Sequence, residues 1–204
     1  RAGHMGVGLV GRTLGTLGVG NIGAEVFRLA KPFGFRHIAH DPYMDAALAR
    51  ELDVELVSLE DLFRRADFLS VSCPLNEETR GIVNAERLAL MKPTAYLINM
   101  SRGPVVDQKA ITEALLNRTI AGAGLDVFEV EPNTADDPLM ALDNAILTPH
   151  ALCFTDQCFA GIGASDVAAV KAVMRGEDPK NVVNREVLNT ARWKERLAHY
   201  RAAV

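Results

Sequence analysis

Short apolar runs alternate with stretches of helical periodicity over residues 13–150. The apolar runs show little polar alternation, which is typical of strands buried on both faces of a parallel sheet. Helices between such strands cover the two faces, and right-handed crossovers make the sheet doubly wound. The pattern predicts an α/β fold with strands at 13–19, 35–40, 67–72, 95–100, 120–127 and 145–148, and helices at 22–33, 58–65, 84–91 and 107–117.

The pattern changes after residue 150. A long helix is predicted at 156–175, and the Gly-Glu-Asp-Pro stretch at 176–179 ends it. A short apolar run at 182–183 comes next and is followed by charged helical turns. We therefore expect a doubly wound domain at residues 6–155 and a second segment at residues 156–204.

Composition narrows the classes of function. The 204 residues are 49% hydrophobic and 24% charged, with a net charge of −4. This charge gives no basic footprint, so no nucleic-acid partner is expected. No apolar run reaches the roughly 18 residues of a membrane span, so no membrane partner is expected either.

Three cysteines, Cys73, Cys153 and Cys158, form no CxxC motif. Their odd number and spacing argue against a disulfide framework and against a structural zinc site, so no metal is predicted. We expect a cytoplasmic protein in which Cys153 and Cys158 are small packing residues. Cys73 precedes Pro74, and this pair is expected to offer extended backbone, not a reactive thiol, to a ligand.

A glycine-rich turn follows the first predicted strand. Gly18, Gly20 and Gly23 form GxGxxG between a strand and a helix, and Asp41 ends the next strand. In this context the glycines permit a tight turn, a close approach of pyrophosphate to the helix N-terminus, and close packing of helix on sheet. Asp41 would accept hydrogen bonds from ribose hydroxyls and repel a 2′-phosphate, so NAD is predicted over NADP. A glycine-rich turn without a ligand is the alternative, and the same letters at 6–11 are interpreted as a lead-in.

Three further polar residues each follow a different predicted strand. Arg102, Glu131 and His150 therefore fall at the sheet edge where ligands of doubly wound sheets bind. An arginine can bind a carboxylate through two parallel hydrogen bonds, and a histidine beside a carboxylate is a suitable acid/base. A solvated arginine and a structural histidine remain the alternatives for each residue taken alone.

Taken together, the motifs resemble the D-isomer-specific 2-hydroxyacid dehydrogenase family, closest to its phosphoglycerate dehydrogenase-like and hydroxypyruvate reductase-like members. The resemblance rests on the segments TLGTLGVGNIG, DFLSVSCPLNEETRGIVN, MKPTAYLINMSRGPVVD, AGAGLDVFEVEP and NAILTPH, in this order. It implies a Rossmann-type NAD-binding domain and an enzyme that interconverts a D-2-hydroxy acid and its 2-oxo acid. It also implies a homodimer formed through this domain.

The resemblance further implies a role for each matching residue. Arg102 would bind the substrate carboxylate, His150 would be the acid/base, and Glu131 would pair with His150. The implied cofactor contacts are Gly18, Gly20, Asn21, Ile22, Gly23, Asp41, Cys73, Pro74, Thr79, Met100, Ser101 and Asp126.

Members of this family carry a substrate-binding domain before the nucleotide-binding domain, and most of it is absent from this sequence. The resemblance therefore implies that the segment at 156–204, with a strand at 181–184, returns toward that domain, and we expect exposed apolar surface at 167–173 and at 182–183. An NAD-sensing binding protein, similar to the corepressors of the family, is an alternative that the three polar residues do not exclude. A fragment that serves only as a dimerisation core is another.

Overall fold

The computed structural model describes residues 6–202. Its strands are β1 (Thr13–Leu17), β2 (Arg36–His40), β3 (Val54–Leu56), β4 (Phe68–Val71), β5 (Tyr96–Asn99), β6 (Gly122–Leu125) and β7 (Ala145–Leu147). They form one parallel sheet in the order β3-β2-β1-β4-β5-β6-β7. The chain first adds strands on one side of β1 and then crosses to the other side with β4. The predicted doubly wound α/β fold is therefore confirmed, with its topological switch point between β1 and β4.

Seven helices are described in the same range. They are α1 (Asn21–Ala30), α2 (Ala46–Leu52), α3 (Leu59–Arg65), α4 (Ala85–Leu88), α5 (Gln108–Leu116), α6 (Asp156–Met174) and α7 (Ala191–Ala202). The sequence analysis missed α2 and β3, which lie between the second and third predicted strands. Side-chain caps fix several helix starts: Ser58 accepts a hydrogen bond from the Asp61 N–H at 3.1 Å, as its spacing suggests.

Two apolar clusters stabilise the sheet. The larger one centres on β4, β5 and α5, where Leu69, Leu97 and Ile111 are almost completely buried. The smaller one joins β1–β3 to α1, with Phe27 and Ala39 at its centre. Burial of each large apolar side chain contributes about 1.5–3 kcal/mol, so these clusters hold the strand ends at fixed spacings.

A buried carboxylate secures the amino edge of the sheet. Asp67, 8% exposed, accepts hydrogen bonds from the Thr13 N–H at 2.8 Å and the Lys92 ammonium at 2.9 Å. The Arg12 guanidinium lies 3.8 Å away. Burial opposes ionisation of Asp67, but the hydrogen bonds from Lys92 and Thr13 and the charge of Arg12 outweigh it and lower the pKa of this carboxyl group. Asp67 therefore links the starts of β1 and β4 as an ion.

Asp67→Asn is expected to destabilise the fold by about 1–3 kcal/mol at pH 7, because a charge-assisted hydrogen bond to Lys92 is lost. The ionised form stabilises the fold above the pKa of an unfolded aspartate, about 3.9, and this stability is lost as the pH falls through the lower pKa of the folded state. Urea unfolding at pH 7 and near pH 3.5 should show the two proteins converging in acid. Asp143→Asn, in an exposed pair with Arg118, is the control that should change little. An equal difference at both pH values would contradict the assignment.

The chain divides into two compact units, one ending at Ala151 and the other beginning at Leu152. The second unit contains α6, capped by Thr155, and α7. Val167 and Val170 on α6 are exposed and Val183 is fully exposed, as expected. Val173 and Val182 are half-buried and Ala172 is buried, so the expected exposed surface is only partly present. Within the described residues no helix is long and apolar enough to cross a membrane.

Two expectations for the second unit are wrong. Residues 181–184 do not form a strand. A strand needs a neighbouring strand that completes its ladder hydrogen bonds, and no strand of the described sheet pairs with these residues. Cys153 is exposed and not packed, because it lies in the turn that precedes α6, whereas Cys158 is half-buried in its first turn.

Candidate active site

The glycine-rich turn lies at the switch point, between the carboxyl ends of β1 and β4. Gly18 has φ of 88°, and a Cβ there would come within 2.8 Å of the Cys73 Cα. A Cβ on Gly23 would overlap the Gly18 carbonyl oxygen, whereas a Cβ on Gly20 would meet no atom within 4 Å. Gly18 and Gly23 are thus required by the packing of the chain itself, and Gly20 leaves open space before α1.

Asp41 follows β2 and is tied to this turn. Its Oδ2 accepts a hydrogen bond from the Val19 N–H at 2.7 Å, and its Oδ1 accepts one from the Tyr43 N–H at 2.8 Å. A carboxylate has about four lone-pair sites, so both oxygens retain capacity for a further donor. Asp41 therefore fixes the glycine turn and faces the cleft at the same time.

Two cavities share this turn. One, of about 590 Å³, lies between the start of α1 and the loops after β4 and β5, and its lining includes Asn21, Ile22, Met100, Ser101 and Arg102. The other, of about 360 Å³, lies between the loops after β2 and β4, and its lining includes Asp41 and Thr79. Gly20, Cys73 and Pro74 line both. Every predicted cofactor contact except Gly23 and Asp126 thus lines one of the two cavities, and Gly18 lines the smaller one.

Cys73 contributes backbone and bulk to these walls. Burial raises the pKa of its thiol to about 11. At neutral pH the sulfur is therefore protonated, and the thiolate that nucleophilic chemistry needs is scarce. This agrees with the expectation that Cys73 offers no thiol chemistry.

A second acidic residue, which the sequence analysis missed, lines the smaller cavity. The Tyr43 hydroxyl donates to Glu78, with distances of 3.1 Å and 3.3 Å to the two carboxylate oxygens. This hydrogen bond raises the pKa of Tyr43. Thr79 and Asn76 exchange hydrogen bonds at 2.9 Å and hold the loop that carries Glu78. Tyr43 and Glu78 lie on loops that are far apart in the sequence, so only the structure shows that their side chains are in contact.

Arg102 follows β5 and is exposed. Its guanidinium donates to the Ser101 carbonyl at 2.6 Å. The buried Asn99 side chain holds the turn, because its Oδ1 accepts from the Ser101 N–H and its Nδ2 donates to the Arg102 carbonyl at 3.1 Å. Asn99, the last residue of β5, thus positions Arg102 and was also missed by the sequence analysis.

Glu131 and His150 are in direct contact, as the resemblance implies. His150 Nδ1 lies 2.8 Å from Glu131 Oε2, and the Phe128 N–H donates to the other carboxylate oxygen at 3.0 Å. The hydrogen bond with His150, then the Phe128 N–H and the charges of His150 and Arg102, lower the pKa of Glu131 against a weak effect of burial. An ionised carboxylate can only accept, so Nδ1 carries the hydrogen and Nε2 is the nitrogen that can exchange a proton.

His150 has a left-handed backbone, with φ of 52°. Its N–H donates to the Thr148 carbonyl at 3.0 Å, which closes a tight turn around Pro149. Left-handed non-glycine residues are uncommon and concentrate at functional sites. Asp53 and Arg118 share this conformation away from the site, so it supports the assignment of His150 only together with the contact to Glu131.

Asp126, after β6, anchors the loop that carries His150. Its Oδ1 accepts from the Thr148 hydroxyl at 2.7 Å and from the Ala151 N–H at 3.0 Å, on either side of the histidine. Asp126 is buried, so these bonds are protected from water. The structure thus assigns it a role in positioning His150, and contact with a nicotinamide stays a prediction.

Gly103 brings the arginine loop against the glutamate loop. A Cβ at this position would overlap the Phe128 carbonyl group. The Phe128 N–H in turn donates to Glu131. The close approach at Gly103 therefore holds the loop of Arg102 beside the loop that carries Glu131. In the part of the chain that the structure describes, no cluster of three or more His, Cys, Asp or Glu side chains is arranged to hold a metal ion.

Comparison with known proteins agrees with this arrangement. Residues 1–151 match the family model described as D-isomer specific 2-hydroxyacid dehydrogenase, NAD binding domain. The chain belongs to this family. Among 2-hydroxyacid dehydrogenase relatives, glyoxylate reductase from Korarchaeum cryptofilum is 47% identical over 90% of this chain and 55% of its own length. D-3-phosphoglycerate dehydrogenase from Methanocaldococcus jannaschii is 44% identical over 88% of this chain and 34% of its own length.

A solved structure shares the fold of this chain. A crystal structure from Thermus thermophilus superposes with a TM-score of 0.82 and 38% identity over 88% of this chain and 56% of that chain. The chain therefore spans about half or less of the length of the relatives it matches, and the part shared with the family model is the NAD-binding domain.

Proposed function

We propose that the protein is an NAD-dependent oxidoreductase that interconverts a D-2-hydroxy acid and its 2-oxo acid. The observation that carries the proposal is the Glu131–His150 hydrogen bond at 2.8 Å, on loops after neighbouring strands of a dinucleotide-binding sheet. A histidine held by an ionised carboxylate is suited to move one proton at neutral pH. Bound NAD would accept or supply the hydride that accompanies this proton.

The chain's own geometry fits a dinucleotide. The first N–H groups of α1, including those of Asn21 and Ile22, have no acceptor within the helix and would bind the pyrophosphate beside the open space at Gly20. Asp41 would accept the ribose hydroxyls, while Cys73, Pro74 and Thr79 would contact the adenosine. Met100, Ser101 and Asp126 would lie beside the nicotinamide. Ile22 and Met100 are large, exposed apolar side chains on one cavity wall, which suits a flat ring.

His150 would exchange the substrate proton at Nε2. In reduction the imidazolium donates to the carbonyl oxygen, and in oxidation the neutral ring accepts the hydroxyl proton. Glu131 would keep the ring oriented through its hydrogen bond with Nδ1. Arg102 would bind the substrate carboxylate through its planar guanidinium, whose exposed position beside the larger cavity supports this role.

We further propose a homodimer formed through the NAD-binding domain and a location in the cytoplasm. The exposed apolar side chains of the chain support an association surface, and its three free cysteines suit a reducing compartment. Light scattering of the purified protein tests the dimer, and an equilibrium monomer would contradict it.

The dinucleotide site is expected to bind NADH more tightly than NADPH. Titration by nucleotide fluorescence is the measurement, followed by NADH oxidation in the whole protein with glyoxylate, hydroxypyruvate and phosphohydroxypyruvate. Asp41→Asn should reduce the preference for NADH about tenfold, because the amide loses the charge. Its single oxygen can still accept from the Val19 N–H, while the Tyr43 N–H loses its acceptor. Binding of neither nucleotide, or tighter NADPH in the unmodified protein, would overturn the cofactor assignment.

A further inference from the structure

We propose that Glu78, held in place by Tyr43, is a second residue that selects NAD over NADP. The inference rests on the proposed function, since it concerns the adenosine end of the same nucleotide. Glu78 and Asp41 line the smaller cavity from opposite loops, one after β4 and one after β2. Two carboxylates at one cavity repel a ligand phosphate more strongly than one does.

The other groups of this cavity do not offset the two negative charges. Among the residues that the structure describes, no lysine or arginine lines it. His40 also lines it, but the Nδ1 of its ring faces the Val57 carbonyl at 3.0 Å. A 2′-phosphate, which carries up to two negative charges, would therefore enter a cavity with two carboxylates and no lysine or arginine on its wall.

Tyr43 is the part of the arrangement that fixes where Glu78 stands. Its backbone N–H binds Asp41 at 2.8 Å and its hydroxyl binds Glu78 at 3.1 Å, so one residue ties both carboxylates. The Tyr43 side chain is 79% exposed, which leaves the hydrogen bond as its main restraint. Tyr43 is thus a positioning residue that acts through Glu78.

The substitution Glu78→Gln tests the role of the negative charge of Glu78, because the glutamine keeps an acceptor for the Tyr43 hydroxyl. NADPH binding should improve about tenfold at low salt, with NADH binding changed by less than about twofold. The gain should shrink near 0.5 M salt, because screening weakens interactions between exposed charges. Glu77→Gln is the matched control: Glu77 is the adjacent residue, is exposed, and is outside the lining of the cavity.

The positioning is tested by Tyr43→Phe, which removes only the hydroxyl. Discrimination should fall about threefold, the effect of one exposed hydrogen bond. In the double variant Tyr43→Phe should add nothing to Glu78→Gln, because it acts through that charge.

The possible outcomes separate this inference from the proposed function. If the unmodified protein binds neither nucleotide, the proposed function fails. If it prefers NADH and Glu78→Gln leaves the preference unchanged, or Glu77→Gln changes it equally, the role of Glu78 is wrong while the function stands. Additive effects of the two substitutions would overturn the role of Tyr43.

Discussion

Replacing His150 with alanine is expected to lower turnover of the whole protein by about 10²–10⁴-fold, the usual contribution of a general acid/base. The substitution removes the Nε2 atom that exchanges the proton, whereas the glycine turn and Asp41 are untouched. The dissociation constant for NADH should therefore change little. Steady-state kinetics and nucleotide titration on the same preparation give both quantities.

His199→Ala provides a matched control, because His199 is an exposed histidine on α7. Glu131→Gln separates orientation from charge: the amide oxygen can still accept from Nδ1, but the negative charge beside the imidazolium is gone. The pH profile for reduction should change, because the pair loses the carboxylate whose pKa the hydrogen bond with His150 lowers. Turnover of His150→Ala within tenfold of the unmodified protein, or an unchanged profile for Glu131→Gln, would contradict the acid/base pair.

Gly103→Ala is expected to have the largest effect on stability, about 3 kcal/mol or more. The new Cβ would overlap the Phe128 carbonyl, which is main chain and cannot rotate away. The loops that carry Arg102 and Glu131 would have to separate, so activity should fall as well. Urea unfolding gives the stability, and turnover well below the melting temperature gives the second effect.

Gly124→Ala is the control for this substitution. Its Cβ would approach nothing closer than an Ile98 side-chain atom at 3.9 Å, which is an ordinary contact. We expect stability to be unchanged or slightly raised, since alanine lowers the entropy of the unfolded chain. If both alanine variants unfold at the same denaturant concentration, the close approach at Gly103 does not hold the two loops together.

The sequence predicts the sheet well because six of its strands are apolar runs separated by clear helical periods. It misses β3, Val54–Leu56, because Glu55 interrupts its apolar run and only Val54 of the three residues is buried. It misses α2 because AALAREL is short and lies in a charged stretch. The strand that the resemblance implies at 181–184 is not formed for a different reason: its two valines have strand propensity, but pairing depends on a neighbour that local sequence does not encode.

Local sequence pattern likewise predicts some residues of the site and misses others. Arg102, Glu131 and His150 could be placed at strand ends because the carboxyl ends of parallel strands meet at one edge. The side chains that hold them could not, because their partners are distant in sequence: Asp126 binds Thr148 across 22 positions, and Gly103 packs against Phe128. Nor does any pattern indicate the left-handed backbone of His150. Sequence thus finds the reacting groups more readily than their supports.

The anchoring of loops across neighbouring strands has a consequence for how such a site can diversify. Asp41 after β2 fixes the turn after β1, and Asp126 after β6 fixes the loop after β7, whereas Asn99 fixes the turn at its own strand end. Because a carboxylate at one strand end secures the loop of another strand, a replacement that displaces the carboxylate would disturb both loops. The sheet edge therefore behaves as a set of interlocked supports: groups that extend beyond them can be exchanged, while the anchoring residues have to be inherited together.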